Sequence, residues 1–106
     1  QEELDINNFL KGKNVFALTV NGDSMIDACI AHGDVVLMES LTDNASLRNG
    51  TIVSAMVPGS GTTLKYFRRK DNLVILEAAN EAYEPITLKA SQVSIQGKLL
   101  AVWRRA

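Results

Sequence analysis

Runs of apolar and of alternating residues divide the chain into short segments that are typical of β-strands. The first is an apolar, β-branched run at residues 15–20, bounded by Asn14 and by the Asn21-Gly22 turn. The same criteria predict strands at residues 34–38, 51–57, 62–67, 73–77, 86–88 and 93–103. Turn-forming residues at 58–61 and 71–72 predict hairpins between them. The pattern therefore predicts a compact, mostly β domain made of several hairpins.

One short helix is predicted between the first two strands. Its apolar face consists of Met25, Ile26, Cys29 and Ile30. The spacing of these four residues places them on one side of a helix. Gly33 lies where a left-handed residue would end the helix, and either Asp23 or Ser24 lies at the N-cap position.

The length of 106 residues corresponds to one domain. We expect residues 1–14 to form a leader that lies on this domain and residues 15–106 to form the domain itself. Residues 41–50 are predicted to be a polar loop, and residues 80–85 are predicted to be irregular.

Composition and charge exclude several classes of function. A count of 11 Lys+Arg against 12 Asp+Glu gives a net charge of −1, which excludes a broad basic surface for nucleic acid. One cysteine and one histidine are too few for a Cys/His zinc site, and neither a metal nor a cofactor is expected. The lone cysteine favours a reducing, cytoplasmic location. No apolar run approaches the roughly 18 residues that span a membrane, so no membrane association is expected.

Ser24 is a candidate nucleophile because it lies at the predicted start of the helix, just after a tight turn. Unpaired N–H groups there would stabilise the oxyanion that forms when the Ser24 hydroxyl attacks a carbonyl. The alternative is a serine that only caps the helix. The one histidine, His32, is a poor base for Ser24, since we expect it at the exposed far end of the helix, interacting with the helix dipole.

A serine without a histidine needs another base, and Lys65 is the lysine in the most apolar setting. It lies in the middle of its strand, on the same face as Thr63 and Phe67. A lysine acts as a base when desolvation lowers its pKa from about 10.4 towards roughly 7–8. The alternative is an edge-strand lysine whose ammonium extends to water.

The last predicted strand is strongly apolar. It ends on Leu99, Leu100, Ala101, Val102 and Trp103. This segment either belongs to the core or forms an edge that pairs with a second copy of the chain. The basic clusters at residues 68–70 and 104–105 are expected to be solvated strand ends, with a small phosphate-facing patch as the alternative. Three methionines are predicted to fill the core: Met25, Met38 and Met56.

Four segments together resemble the LexA/UmuD family of self-cleaving serine–lysine peptidases. Residues 20–27 read Val-Asn-Gly-Asp-Ser-Met-Ile-Asp and residues 30–36 read Ile-Ala-His-Gly-Asp-Val-Val, which is similar to the family's active-site segment. The other three segments are similar to its lysine-bearing hairpin (residues 49–53 and 62–65), its asparagine–tyrosine–proline segment (80–86) and its closing strand (96–104). The combination of Gly-Asp-Ser-Met with Gly-Asp is the most specific part.

The resemblance implies a domain fold of the LexA C-terminal type, with Ser24 as nucleophile and Lys65 as general base. It implies backbone support for the oxyanion at Asp23 and Met25. It also implies a latent protease that cuts its own chain at a small-residue–Gly bond, usually Ala-Gly or Cys-Gly, when the RecA–single-stranded-DNA filament stimulates it. Neither pair occurs in these 106 residues, so that bond is expected upstream of Gln1.

The LexA branch of the family implies a homodimeric repressor of DNA-damage (SOS) genes that binds operator DNA through an N-terminal domain. The long leader and residues 97–105 resemble this branch. The UmuD branch implies a processed subunit of an error-prone polymerase. A further alternative is a non-enzymatic dimerisation module, which would be indifferent to loss of Ser24 and sensitive to changes in residues 99–103.

Overall fold

Seven strands make up most of the part of the chain that the structure describes. The computed structural model describes Asn8 and residues 10–41 and 47–104. The strands are β1 (Val15–Thr19), β2 (Val35–Ser40), β3 (Thr51–Val57), β4 (Gly61–Lys70), β5 (Leu73–Glu77), β6 (Ile86–Lys89) and β7 (Ser94–Trp103). They form one antiparallel sheet in the order β1-β2-β7-β3-β4-β5-β6, which confirms the mostly β prediction. No helix among these residues is long and apolar enough to cross a membrane.

The predicted hairpins are confirmed, since β3, β4 and β5 each pair with the next strand. Strands β3 and β5 have the predicted bounds, whereas β4 is longer because its two ladders extend from Gly61 to Lys70. Strand β2 begins at Val35 instead of Asp34, because the Asp34 N–H donates to the Ala31 carbonyl. The bounds of β1, β6 and β7 each differ by one residue from the prediction.

Two apolar clusters form the core. The first consists of Val53, Ala55, Val57, Phe67, Val74, Leu76, Val93 and Ile95. The second consists of Met25, Ile30, Val36, Met38 and Ala79, with partly buried residues such as Phe16, Leu64 and Leu99 packed against it. Met25 and Ile30 belong to the loop between β1 and β2, and they are 1% and 2% exposed. The second cluster therefore anchors this loop.

The core prediction is wrong for one methionine. Met25 and Met38 are buried as expected, but Met56 is 42% exposed. Its register partners in β4 and β7 are Thr62 and Ser94, which are exposed as well. Met56 therefore lies on an uncovered part of the sheet near the tip of the β3–β4 hairpin.

Strand β7 lies inside the sheet. Its first half pairs with β3 as far as the register pair Val53–Lys98, and its second half pairs with β2 from Gly97 to Trp103. Beyond Lys98, one backbone edge of β7 has no partner strand among the described residues. Val102 and Trp103 are 41% and 65% exposed. The end of β7 is thus neither fully core nor an edge strand, but an inner strand with one open side.

Two predicted segments fall partly outside the described residues. Of the leader, residues 1–7 and 9 lie outside, while the Asn14 carbonyl accepts a hydrogen bond of 2.8 Å from the Ser40 N–H at the end of β2. Of the polar loop at residues 41–50, residues 42–46 lie outside. The leader and its boundary at residue 14 stay a prediction.

Candidate active site

Lys65 brings a buried amine to the hydroxyl of Ser24. Its Nζ donates hydrogen bonds to Ser24 Oγ at 3.1 Å and to Thr63 Oγ1 at 2.5 Å. Ser24 comes from the loop between β1 and β2, whereas Lys65 and Thr63 lie two residues apart in β4. The fold therefore brings together a serine and a lysine that are 41 positions apart in the sequence.

The surroundings of Lys65 disfavour its charged form. The residue is 6% exposed, and its register partner Val53 is fully buried. Burial lowers the pKa of the Lys65 ammonium, because the charge loses its solvation. Among the described residues, the carboxylates of Glu77, Glu39 and Asp34 pair with other cations, and no described carboxylate forms an ion pair with Lys65. The alternative of an edge lysine that reaches water is therefore wrong.

Ser24 lies in a turn, so the prediction that a helix carries it is wrong. The nearest helical residues form a single turn of 3-10 helix (Ile26–Ala28). The N-cap of this turn is Met25, which makes no side-chain capping hydrogen bond. Neither Asp23 nor Ser24 is a helix cap, and the alternative role of Ser24 as a cap is also wrong.

A contact with a distant loop prevents a regular helix at this point. In an α-helix the Asp27 N–H would donate to the Asp23 carbonyl, four residues earlier. Here it donates instead to the Ala79 carbonyl at 2.8 Å, and the Ile26 N–H donates to the Asp23 carbonyl at 3.2 Å. The turn geometry at Ser24 therefore depends on tertiary structure.

Cys29, and not Gly33, ends the short helix. Cys29 has a left-handed backbone conformation with φ 62°, whereas Gly33 lies four residues later with φ 90°. Because the helix stops early, Ile26 and Cys29 do not share the buried face of Met25 and Ile30. Ile26 is 44% exposed, and Cys29 is exposed too.

Two backbone amides at the candidate nucleophile have no partner among the described residues. Within the described residues, neither the Ser24 N–H nor the Met25 N–H donates a hydrogen bond. Free N–H groups next to a nucleophile are the donors that a developing oxyanion requires. The Asp23 carbonyl supports this turn by accepting from Ile26.

Asn80 and Tyr83 hold Asp23, the residue before the candidate nucleophile, and the sequence alone indicates a role for neither of them. Asn80 Nδ2 donates to the Asp23 carbonyl at 2.9 Å, and the Tyr83 hydroxyl donates to Asp23 Oδ1 at 2.6 Å. The bond to the Asp23 carboxylate raises the pKa of Tyr83. The sequence signal that could have indicated Asn80 and Tyr83 is their spacing within residues 80–86. Nothing in that segment indicates that Asn80 has its partner, Asp23, 57 positions away. The signal for Thr63 is its two-residue spacing from Lys65 on one strand.

The buried carboxylate of Asp34 closes the loop that carries Ser24. Its side chain is 4% exposed. Arg104 Nε and Nη2 donate to its two oxygens at 2.9 and 2.8 Å, and the Ala31 N–H donates to Oδ2 at 2.8 Å. These bonds lower the pKa of Asp34 from 3.8 to about 2. Arg104 is exposed at the end of β7, as predicted, with its side chain 57% exposed, and it also pairs with Asp34, which we did not predict. Residues 68–70 are exposed as predicted.

His32 is exposed as predicted, but it does not interact with a helix end. The helix stops at Cys29, and His32 Nδ1 accepts a hydrogen bond of 2.9 Å from the Gly22 N–H. Close by, Val20 and Asp34 extend the pairing of β1 with β2 through a backbone bond of 2.8 Å. His32 thus helps to close the base of the loop and forms no hydrogen bond with Ser24.

Comparison with known proteins supplies the family. A family model described as Peptidase S24-like matches residues 1–100. The chain belongs to this family. Its relatives include the LexA repressor of Paramagnetospirillum magneticum, 48% identical over 92 residues (87% of this chain, 38% of the relative), and that of Zymomonas mobilis, 46% identical over 90 residues (85% and 40%). The LexA repressor of Koribacter versatilis is 38% identical over 104 residues (98% and 48%).

These comparisons confirm the resemblance seen in the motifs. The S24-like chain spans half or less of the length of the relatives it matches, since 38–48% of each is covered. Within this S24-like domain, Ser24 and Lys65 are in contact, and Asp23 and Met25 flank Ser24.

In the S24-like domain we expect Asp34→Asn to lower the free energy of unfolding at neutral pH, because asparagine cannot replace the ion pair with Arg104. The wild-type advantage is fully present above the unfolded-state pKa of about 3.9. It decreases as the pH falls through the folded-state pKa of about 2. Urea unfolding of both proteins from about pH 7 to about pH 2 measures this difference in the free energy of unfolding. A difference that does not change with pH contradicts the ion pair, and Asp71→Asn at an exposed turn is the matched control.

Proposed function

We propose that this domain is a latent serine–lysine autoprotease that also dimerises, and that it belongs to a LexA-type repressor of the SOS response to DNA damage. The observation that carries the proposal is the contact between the buried Lys65 Nζ and Ser24 Oγ at 3.1 Å. Membership of a peptidase family and the relatives named LexA repressor support it.

In the proposed reaction, neutral Lys65 is the general base. Burial lowers its pKa and so increases the fraction of the amine that is neutral. Thr63 Oγ1 accepts one N–H of the amine, which leaves the nitrogen lone pair for the proton of the Ser24 hydroxyl. Ser24 Oγ then forms a bond to the scissile carbonyl carbon, and the carbonyl electron pair moves to its oxygen.

The unpaired N–H groups of Ser24 and Met25 would donate to that oxyanion. When the intermediate collapses, the carbon–nitrogen bond breaks, and protonated Lys65 transfers its proton to the leaving amine. Water then attacks the acyl group on Ser24, with Lys65 again accepting a proton. This step releases the new carboxyl terminus and restores the Ser24 hydroxyl.

The proposed substrate is the protein's own chain. The family resemblance favours a small-residue–Gly bond, and Ala-Gly and Cys-Gly are absent from the 106 residues. We therefore place the bond upstream of Gln1, in agreement with the greater length of the relatives. The RecA–single-stranded-DNA filament is the proposed stimulating partner, and operator DNA is the proposed ligand of an N-terminal domain outside this segment. A processed polymerase subunit of the UmuD type is the alternative, which the relatives' names do not favour.

The open side of β7 is the proposed dimer interface. Its residues are Leu99, Leu100, Ala101, Val102 and Trp103. Beyond Lys98 this strand has one unpaired backbone edge within the described residues, and its last two residues expose apolar surface. An unpaired edge with apolar side chains favours strand pairing with a second copy about a two-fold axis.

Ser24→Ala in the full-length protein is expected to abolish self-cleavage, with a rate loss of roughly 10⁴-fold or more, because the nucleophile is removed. Intact-mass spectrometry after incubation at alkaline pH, with and without an activated RecA filament, detects the fragments. Wild-type protein should give a new pair of fragments cut at a small-residue–Gly bond. Wild-type protein that stays intact under all these conditions contradicts the protease proposal and favours the dimerisation module.

The control for this variant is the oligomeric state, measured by sedimentation. Ser24→Ala should remain dimeric, whereas Val102→Asp should weaken the dimer by at least about tenfold. Met56→Asp is the matched control, because Met56 and Val102 are 42% and 41% exposed. Equal effects of the two aspartates would contradict an interface at residues 99–103.

The self-cleavage rate is expected to rise about tenfold per pH unit until the Lys65 pKa is passed, and then to level off. The midpoint should lie below the ordinary lysine value of 10.5, because burial lowers this pKa. Tyr83 has a raised pKa, so Tyr83→Phe should leave the midpoint unchanged. Lys65→Arg should not cleave at any pH, since arginine stays protonated. A rate that does not depend on pH would exclude Lys65 as the base.

A further inference from the structure

We propose that Arg104 is a positioning residue for Ser24, acting from the end of β7 on the second half of the loop that carries the nucleophile. The role rests on the proposed self-cleavage. It concerns a residue whose hydrogen bonds go to Asp34 and Cys29, not to Ser24 or Lys65, and that has no part in the proposed reaction.

Arg104 forms hydrogen bonds with two residues of this loop. Its guanidinium forms a two-pronged contact with the Asp34 carboxylate, at 2.9 Å from Nε and 2.8 Å from Nη2. Its Nη2 also donates to the Cys29 carbonyl at 2.9 Å. We call this set of three hydrogen bonds the Arg104 clamp. Asp34 is 70 positions before Arg104, so the clamp joins the last residue of the described chain to the loop between β1 and β2.

The clamp acts on Cys29, the residue that ends the turn following Ser24. Cys29 has φ 62°, a conformation that residues with a side chain adopt at a cost, so its surroundings must hold it there. Its N–H donates to the Ile26 carbonyl at 2.9 Å, and the Met25 carbonyl accepts from both Ala28 and Ile30. A shift of Cys29 is thereby passed to Met25, whose amide is one of the two unpaired donors.

The two halves of the loop have separate supports. Asn80 and Tyr83 hold Asp23, on the near side of Ser24. The clamp holds Cys29 and Asp34 on the far side. Asp34 is 4% exposed with Arg104 in place, and without Arg104 its carboxylate would keep only the Ala31 N–H as partner among the described residues. A buried charge with so few partners is unfavourable, so we expect the far half of the loop to move towards water.

Lysine cannot replace this arginine fully. The guanidinium is planar and presents several N–H groups in a fixed fork, which matches a carboxylate and leaves a further N–H for the Cys29 carbonyl. An ammonium at position 104 would keep the charge beside Asp34 without the fork. The proposal therefore predicts that the self-cleavage rate is highest with arginine at position 104, lower with lysine and lowest with alanine.

The test compares full-length wild type, Arg104→Lys and Arg104→Ala for first-order self-cleavage at fixed pH. We expect Arg104→Ala to be roughly 10- to 100-fold slower, the size of effect that a misplacement of about 1 Å produces. Arg104→Lys should lie between the two. Lys98→Ala is the matched control, because it removes another cross-strand ion pair, with Glu39, from the same β7–β2 ladder. It should cleave at the wild-type rate.

Two further measurements separate positioning from general destabilisation. Methylguanidinium should restore cleavage by Arg104→Ala in a saturable manner and leave Lys98→Ala unaffected. Amide hydrogen exchange should become faster in residues 22–34 of Arg104→Ala and stay unchanged in residues 61–70, which carry Lys65. Arg104→Ala with wild-type cleavage and unchanged exchange would overturn the proposal, and so would a uniform loss of protection that methylguanidinium does not repair.

The exchange measurement also separates this inference from the proposed function. Wild-type protein that never cleaves would refute the autoprotease, yet a local rise in exchange in Arg104→Ala would still support the clamp. If the wild type and Arg104→Ala cleave themselves at the same rate, the role of the clamp is refuted and the autoprotease proposal is not affected.

Discussion

The site depends on a lysine that the sheet buries without a carboxylate to neutralise it. Lys65 is 6% exposed, and no carboxylate of the described residues forms an ion pair with it. Its two hydrogen-bond partners are hydroxyl oxygens, which stabilise an ammonium less than an ion pair would. The fold thus makes protonation of Lys65 unfavourable, and the same packing places its amine against Ser24.

The turn that carries Ser24 has its shape because distant parts of the chain impose it. The Asp27 N–H is bonded to Ala79 instead of continuing a helix, and Asp23 is held by Asn80 and Tyr83. These contacts leave the Ser24 and Met25 amides free of partners in the described structure. Such amides are the donors that the proposed oxyanion would require.

Local sequence signals predicted the strands well and the loop around Ser24 poorly. Strands β3 and β5 have the predicted bounds, because alternation and turn residues lie within a few positions of one another. The helix prediction failed because Asp27 has its acceptor in a distant loop. The ion pair of Arg104 was not predicted because Asp34 lies 70 positions away. Residue chemistry alone allowed two roles for Ser24, a helix cap or a nucleophile. The motif resemblance favoured the nucleophile. Only the fold shows that Lys65 reaches Ser24.

The side-chain pKa of Lys65 is the quantity on which the proposed mechanism depends, and NMR can measure it without any cleavage. The experiment follows the carbon next to the Lys65 amine through a pH titration in the Ser24→Ala protein, with Lys65→Arg to assign the signal. We predict a midpoint below the ordinary value of 10.5, because burial destabilises the ammonium. A midpoint at or above 10.5 would mean that Lys65 keeps its proton at the pH of cleavage, and the serine–lysine mechanism would be contradicted.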